Sequence, residues 1–312
     1  MNKYLRKTLT IFIFISVLFL LTGCRKGDTG ARPIEGFTGF FDIFVYPMAG
    51  LMWLVGKACL GNYALAILFT TIIVRTLAWP IYAKTTDLSL KMQLAQPEID
   101  RINQKYQAIG ASKDPQTRQR MSLELRQVYK KHGIGIGGCL LPLLQFPIFI
   151  GFFDTLYRIP VTYEKGGWAG SLFTNHMIGS IDLFKGREGS TIQLWGIIIL
   201  AILVGLTQIF TVIYSQYTQR KQKQTVVSDI PEYRRPKQSD KQKSQAIIMN
   251  VMMYGMSIMM VVFVALRPAA LGFYWLVGNI YSSLQQILST ETQEKRKRKM
   301  EEKLNKKKEG TI

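Results

Sequence analysis

The stretch from Ala64 to Tyr82 reads ALAILFTTIIVRTLAWPIY, and Arg75 is its only charge. Such a run is too long for a strand and too apolar for one face of a soluble helix. The hydrocarbon layer of a bilayer is about 30 Å thick, so about 20 apolar residues in helical form cross it. Extended back to Ala58, the stretch meets that requirement and predicts a first span, Ala58 to Tyr82. The same criterion predicts four more: Gly133 to Leu156, Thr191 to Tyr217, Ala246 to Leu266 and Ala269 to Leu288. Only Arg267 and Pro268 separate the last two, which makes them antiparallel neighbours. Of the 312 residues, 48% are apolar, and they gather in these blocks while the formal charge of +20 crowds between them. Segregation of this kind excludes a soluble globular fold and predicts an all-α integral membrane protein with five transmembrane helices.

Ahead of the first span, Phe37 to Val55 is apolar apart from Asp42 and is interrupted by Pro47. Only Gly56 and Lys57 part it from the next apolar block, and so short a turn cannot join two crossings without stranding polar backbone in lipid. It reads as a helix lying at the outer interface. At the amino end, Lys3, Arg6 and Lys7 precede an apolar run from Leu9 to Leu21, the shape of a signal peptide. That run closes on Leu21-Thr22-Gly23-Cys24, which resembles the lipobox of bacterial lipoproteins. The resemblance implies removal of residues 1–23 and a lipid (diacylglycerol and, in such proteins, palmitate) on Cys24. An uncleaved signal anchor with an incidental cysteine is the other reading. Both place residues 24–57, a polar tether and the interfacial helix, outside the cytoplasm.

Charge between the spans sets orientation. Lys84, Lys91, Arg101, Lys105, Lys113, Arg118, Arg120, Arg126, Lys130 and Lys131 follow the first span; Arg220, Lys221, Lys223, Arg234, Arg235, Lys237, Lys241 and Lys243 follow the third. The tail, residues 289–312, holds the basic run Lys295 to Lys299. Alternate loops are poorer in Lys and Arg. Positive charge favours the cytoplasmic side, so five spans with the amino end outside and the carboxyl end inside satisfy the pattern. Within the first basic loop, residues 84–132, Leu90, Leu94, Ile99 and Ile102 recur at helical spacing, as do Met121, Leu125 and Val128. Turn formers from Gly110 to Pro115 separate the two sets, predicting a cytoplasmic helical hairpin.

Arg75 is the most informative residue. At 1.5 Å per helical residue it lies about 25 Å from the outer start of its span and about 13 Å from Lys84. A charge at such depth costs about 3 kcal/mol on insertion scales, so it needs a wet cavity, a partner, or a path for snorkelling to the interface. No Asp or Glu stands well inside any span; Asp154 is near the outer end of the second. Gln145, Gln208, Trp275 and Asn279 interrupt other spans and either line a groove around Arg75 or make interhelical hydrogen bonds. The fourth span carries Met249, Met252, Met253, Met256, Met259 and Met260, which serve as gap fillers or as an adaptable apolar surface.

Three motifs in order give these features a family. Ile73-Val74-Arg75-Thr76-Leu77 with Pro80 and Ile81 resembles the first core span of YidC-type insertases. Cys139-Leu140-Leu141-Pro142-Leu143-Leu144-Gln145-Phe146-Pro147 is similar to the family's second core span, and Phe273-Tyr274-Trp275-Leu276-Val277-Gly278-Asn279 with Gln285-Gln286 to its last. The resemblance covers Phe37 to Gln286 and is closest to the lipoprotein-type, Gram-positive form, without a large periplasmic domain. It implies a five-span insertase core over residues 58–288 that inserts and helps fold integral membrane proteins. It places Arg75 in a hydrophilic groove that receives acidic substrate tails, with Gln145, Gln208, Trp275 and Asn279 as groove or contact residues. It further implies nascent membrane proteins as partners, the Sec translocon and ribosome as possible ones, and location in the bacterial plasma membrane. Anionic lipid is a rival partner for the basic tail.

Other classes fit less well. An anion transporter would use Arg75, but the sequence has no inverted repeat and no matched pair of broken helices. No HExxH, nucleophile motif or paired intramembrane aspartate points to an enzyme, and His132 and His176 fall in loops or interfaces. Cys59 and Cys139 sit near opposite membrane faces and form no metal cluster, so no cofactor is expected. Charge follows topology, which explains the basic balance without DNA.

Overall fold

The computed structural model describes residues 32–37, 40–108, 114–135, 145–187, 190–228 and 240–309. These form helices α1 (Asp42–Ala58), α2 (Tyr63–Leu77), α3 (Trp79–Ala108), α4 (Pro115–Lys131) and α5 (Gln145–Glu164). A two-strand antiparallel hairpin, β1 (Met177–Ile178) and β2 (Ile181–Asp182), follows, and then α6 (Thr191–Ser228), α7 (Asp240–Ala265) and α8 (Ala269–Glu309). The protein is thus mainly helical, with a small extended element that the sequence did not announce. Cys24 and Cys139 lie outside the described residues.

Two compact units result. The first comprises the chain up to Leu77, Leu144–Val212 and Ala246–Ser283. Its core buries Val45, Met52, Ile67, Phe152, Leu156 and Leu271. Helices α1 and α5 approach closely because residue 151 is glycine: a Cβ there would stand 2.6 Å from the Phe44 carbonyl oxygen. Beside it the Thr155 hydroxyl donates to the Val45 carbonyl at 3.2 Å. The turn from α1 to α2 passes through Gly61 at φ +75°, where a Cβ would also meet the Leu172 carbonyl oxygen at 2.5 Å. Only glycine adopts that conformation in that space without cost.

The β hairpin caps this unit. Gln193 is buried and pairs with both backbone groups of Asp182, its Oε1 accepting at 2.8 Å and its Nε2 donating at 2.9 Å. Following the hairpin, the carbonyls of Lys185 and Leu183 accept from the Ala269 and Ala270 N–H groups, each at 3.0 Å. The first N–H groups of α8 have no partner inside the helix, so these bonds complete its amino end.

The second unit comprises Ala78–Leu143, Ile213–Gln245 and Leu284–Ile312. Helices α3 and α4 form an antiparallel pair around Ala95, Ile99 and Val128. Asp114 caps α4, accepting from the Gln116 N–H at 3.2 Å and the Thr117 N–H at 2.9 Å, with Pro115 in the first turn. Such a cap gives partners to two of the N–H groups that a helix start leaves without one. Lys131 reaches Glu98 at 2.9 Å, and Lys105 reaches Glu124 at 2.8 Å. Further links are Arg296 to Asp87 at 3.1 Å and Lys221 to Glu294 at 3.4 Å.

Boundaries depart from expectation in four places. Ala58 ends α1 rather than opening a span, and the next helix begins at Tyr63. The first span is interrupted after Leu77, since Pro80 cannot donate a backbone hydrogen bond and its ring crowds the preceding turn. Helix α5 runs on to Glu164, past the expected end of the second span at Leu156, so Arg158 sits on a helix and Pro160 does not end it. The basic tail is helical as far as Glu309, because α8 continues unbroken from Ala269.

Among the described residues, Thr191–Lys221 and Ile247–Ala265 are each long and apolar enough to cross a membrane. Tyr63–Leu77 and Trp79–Ala108 reach that standard only when they are taken together across the break at Ala78. Asn279, Ser282, Ser283, Gln285 and Gln286 dilute the apolar character of α8.

Candidate functional site

Arg75 lies in the last turn of α2, half-buried among apolar neighbours. Its Nη1 donates to the Ser282 hydroxyl of α8 at 2.5 Å. One turn earlier on α8, Gly278 gives the guanidinium room: a Cβ there would be 2.6 Å from Nη2, 3.3 Å from Cζ and 3.4 Å from Nε. Next to Arg75, the Thr76 and Tyr281 hydroxyls are 2.9 Å apart. Among the described residues, no carboxylate forms a salt bridge with Arg75. Among the described residues, the cation is hydrogen-bonded to a neutral hydroxyl and to no carboxylate.

A polar seam runs beside it between α6 and α8. The Asn279 carboxamide donates to the Thr207 hydroxyl at 3.3 Å and the Val204 carbonyl at 3.4 Å. One turn on, the hydroxyls of Thr211 and Ser283 are 2.8 Å apart, and Ser283 donates to the Asn279 carbonyl at 2.9 Å. Gln208, adjacent to Thr207, is half-buried. Trp275 is only 7% exposed and packs in an aromatic cluster with Phe149 at 6.3 Å, Phe153 at 6.4 Å and Phe263 at 5.3 Å between ring centroids. Gln145 opens α5, but its side chain lies outside the described residues. On α7, Met249, Met252 and Met256 are exposed, whereas Met260 packs against the core.

A second charged group is fully internal. Arg158 of α5 donates to Asp42 of α1 at 2.5 Å and to Asp154 at 3.3 Å, and also to the carbonyls of Arg32 at 2.8 Å and Pro33 at 3.1 Å. The side chains of Arg158 and Asp42 are 6% and 4% exposed. Here the cation is neutralised, and the cluster ties the segment before α1 to α5. Ile34 joins it, its N–H donating to the Thr162 hydroxyl at 3.0 Å. The sequence carried a signal for this pair that went unused: Asp42 is the one acid in an apolar run.

The second unit holds a cavity of about 220 Å³ that, among the described residues, is lined without a charged side chain. Tyr82, Ser89 and Gln93 of α3 face it, with Thr218 of α6 and Gln286 of α8. Gln93 Oε1 and Gln286 Oε1 are buried with no hydrogen-bond partner among the described residues. At about 30 Å³ per water, a polar space of this size takes several waters.

Helices long and apolar enough to cross a bilayer mark an integral membrane protein, and within it Arg75 is partly buried with no salt bridge among the described residues. Among the described residues no cluster of His, Cys, Asp or Glu is arranged to hold a metal. Over residues 55–297 the chain matches the family described as 60Kd inner membrane protein. It is 30% identical to membrane protein insertase YidC of Oceanobacillus iheyensis across 91% of this chain and 96% of that protein. It is also 30% identical to membrane protein insertase MisCA of Bacillus subtilis, across 88% and 87%, and 29% identical to membrane protein insertase YidC 1 of Halalkalibacterium halodurans, across 89% of each. The chain belongs to the YidC family of membrane protein insertases.

Proposed function

We propose that this protein inserts integral membrane proteins into the lipid bilayer and helps them fold, as a binding device without a catalytic step, and that Arg75 receives an acidic group of the incoming chain. The observation that carries the reading is the state of Arg75: partly buried in an apolar helix, held by a serine hydroxyl, and unpaired with any described carboxylate. An uncompensated charge in hydrocarbon is expensive, and a carboxylate arriving on a substrate lowers that cost. Attraction holds the polar tail while the adjoining apolar segment partitions into lipid.

In this reading five spans cross the membrane, with residues 24–57 outside and Cys24 lipid-anchored. The α3–α4 hairpin and the basic end of α8 lie in the cytoplasm. Gln145, Gln208 and Asn279 supply polar surface to a hydrated groove, and Trp275 forms its apolar wall. The basic end of α8 suits contact with a ribosome or anionic lipid, and work beside the Sec translocon fits the same arrangement. Substrates are nascent membrane proteins with short or acidic translocated tails.

Complementation of an insertase-depleted bacterium with wild type, Arg75→Lys and Arg75→Ala tests this. It is paired with insertion of a substrate bearing a short acidic tail. Rescue by wild type and Lys but not by Ala is the expected result. Failure of membrane-localised wild type to rescue would overturn the insertase reading.

A further inference from the structure

Arg75 is not placed by its own helix alone. Its guanidinium meets α8 at two residues one turn apart, Gly278 and Ser282. We propose that Gly278 and Ser282 are positioning residues that form a seat for the Arg75 guanidinium, Gly278 by its missing side chain and Ser282 by its hydroxyl. The inference rests on the reading of Arg75 as receptor for a substrate carboxylate, and names the residues that aim it.

The case is steric first. At 2.6 Å from Nη2, a Cβ on Gly278 is closer than any real contact permits, and Cζ and Nε at 3.3 and 3.4 Å leave no slack on that side. The whole guanidinium plane must move. Because the conflicting atoms are the far end of a flexible side chain, the helix backbones need not. Gly278→Ala therefore displaces the charge by about an ångström while leaving the fold standing. Displacement matters because guanidinium–carboxylate recognition depends on a planar fork and on N–O distances near 2.8 Å.

Ser282 works differently. Among the described residues it supplies the one hydrogen bond that the guanidinium makes to protein, at 2.5 Å through Nη1. The serine is neutral, so it orients the group without competing for its charge. An aspartate at 282 would hold the arginine more tightly and leave nothing for a substrate. With Nη1 on Ser282 and Nη2 against the Gly278 backbone, the orientation is set by α8, and the remaining N–H donors are left to an incoming carboxylate. Asn279 and Ser283, on the neighbouring face of α8, are occupied with Thr207 and Thr211 of α6. That seam fixes the rotation of α8 and so keeps Gly278 and Ser282 facing Arg75.

The test uses the full chain in proteoliposomes with two single-span substrates, identical except for one Asp or one Asn in the translocated tail. Gly278→Ala and Ser282→Ala are expected to lower insertion of the Asp substrate several-fold, to leave the Asn substrate within about twofold of wild type, and Ser282→Thr to restore the Asp substrate. Equal loss for both substrates would make Gly278 and Ser282 ordinary packing residues and overturn the proposal. Unchanged insertion of both by these variants, where Arg75→Ala loses the Asp substrate, would overturn the seat and leave the arginine's role intact. If Arg75→Ala itself spares the Asp substrate, the reading of Arg75 fails, and the seat fails with it.

Discussion

Removing Asp42 from beneath Arg158 should destabilise the first unit more than any single surface change. Both side chains are almost wholly buried, and their 2.5 Å contact is the shortest of the four that Arg158 makes. Breaking a buried ion pair by deleting one partner typically costs about 3–5 kcal/mol, since the other charge is stranded in a poor dielectric. In Asp42→Ala, Arg158 retains Asp154 at 3.3 Å and the carbonyls of Arg32 and Pro33, so the lower end, about 3 kcal/mol, is expected. For a unit of this size each kcal/mol shifts the unfolding midpoint by about 2–4 °C, giving a fall of roughly 6–12 °C. Asp154 is one-third exposed and more distant, so Asp154→Ala should cost about 1 kcal/mol or less. Unfolding followed by tryptophan fluorescence in detergent micelles reads both variants. Limited proteolysis should also show the segment 32–37 released in Asp42→Ala, because Arg158 holds its carbonyls. Equal shifts for the two variants, or no shift for Asp42→Ala, would refute the assignment of Asp42 as the principal counter-ion.

Gly151→Ala should cost about 1–3 kcal/mol by forcing α5 away from the Phe44 carbonyl, and the same unfolding assay should register it. Acid should loosen the α3–α4 hairpin. Asp114 is held below the ordinary carboxylate range by the Thr117 hydroxyl and then by the Thr117 and Gln116 N–H groups; Glu124 is held down by Lys105 and Tyr106. At Glu98 burial pushes upward, but the hydrogen bond and charge of Lys131, aided by His132, outweigh it. All three are depressed in the folded state, so their stabilisation is complete above the unfolded values of about 4 and disappears as pH falls through the lower folded ones. Amide protection of α3 and α4, corrected for intrinsic exchange, should therefore decline below about pH 4 and stay flat from pH 6 to 8. Unchanged protection at low pH would count against these carboxylates.

The predictions about Arg75 and about Asp42 differ in how visible their residues were. Arg75 stood out because a lone cation in an apolar run has a cost that the run itself declares. Asp42 was as isolated, yet its partner Arg158 lies beyond Leu156, where the second span was expected to end. The internal pair with Asp42 and the carbonyls of residues 32 and 33 are what make it reasonable for α5 to continue past Arg158. Trp275 was read as a contact residue from its place in a motif; Phe149, Phe153 and Phe263 enclose it on three sides.

Sequence alone determined the helical class, the segregation of charge from apolar blocks, the α3–α4 hairpin and the isolation of Arg75 in an apolar run. These properties are local: hydropathy over a window, a 3.6-residue period, turn formers between two periodic runs, and the cost of one charge in hydrocarbon. The tertiary structure decided the break after Leu77, the extension of α5, the Asp42–Arg158 pair and the contact of Arg75 with Ser282 beside Gly278. Each of these depends on which groups meet across long stretches of chain. A glycine or a serine in a helix carries no sign of its partner until the fold brings an arginine against it.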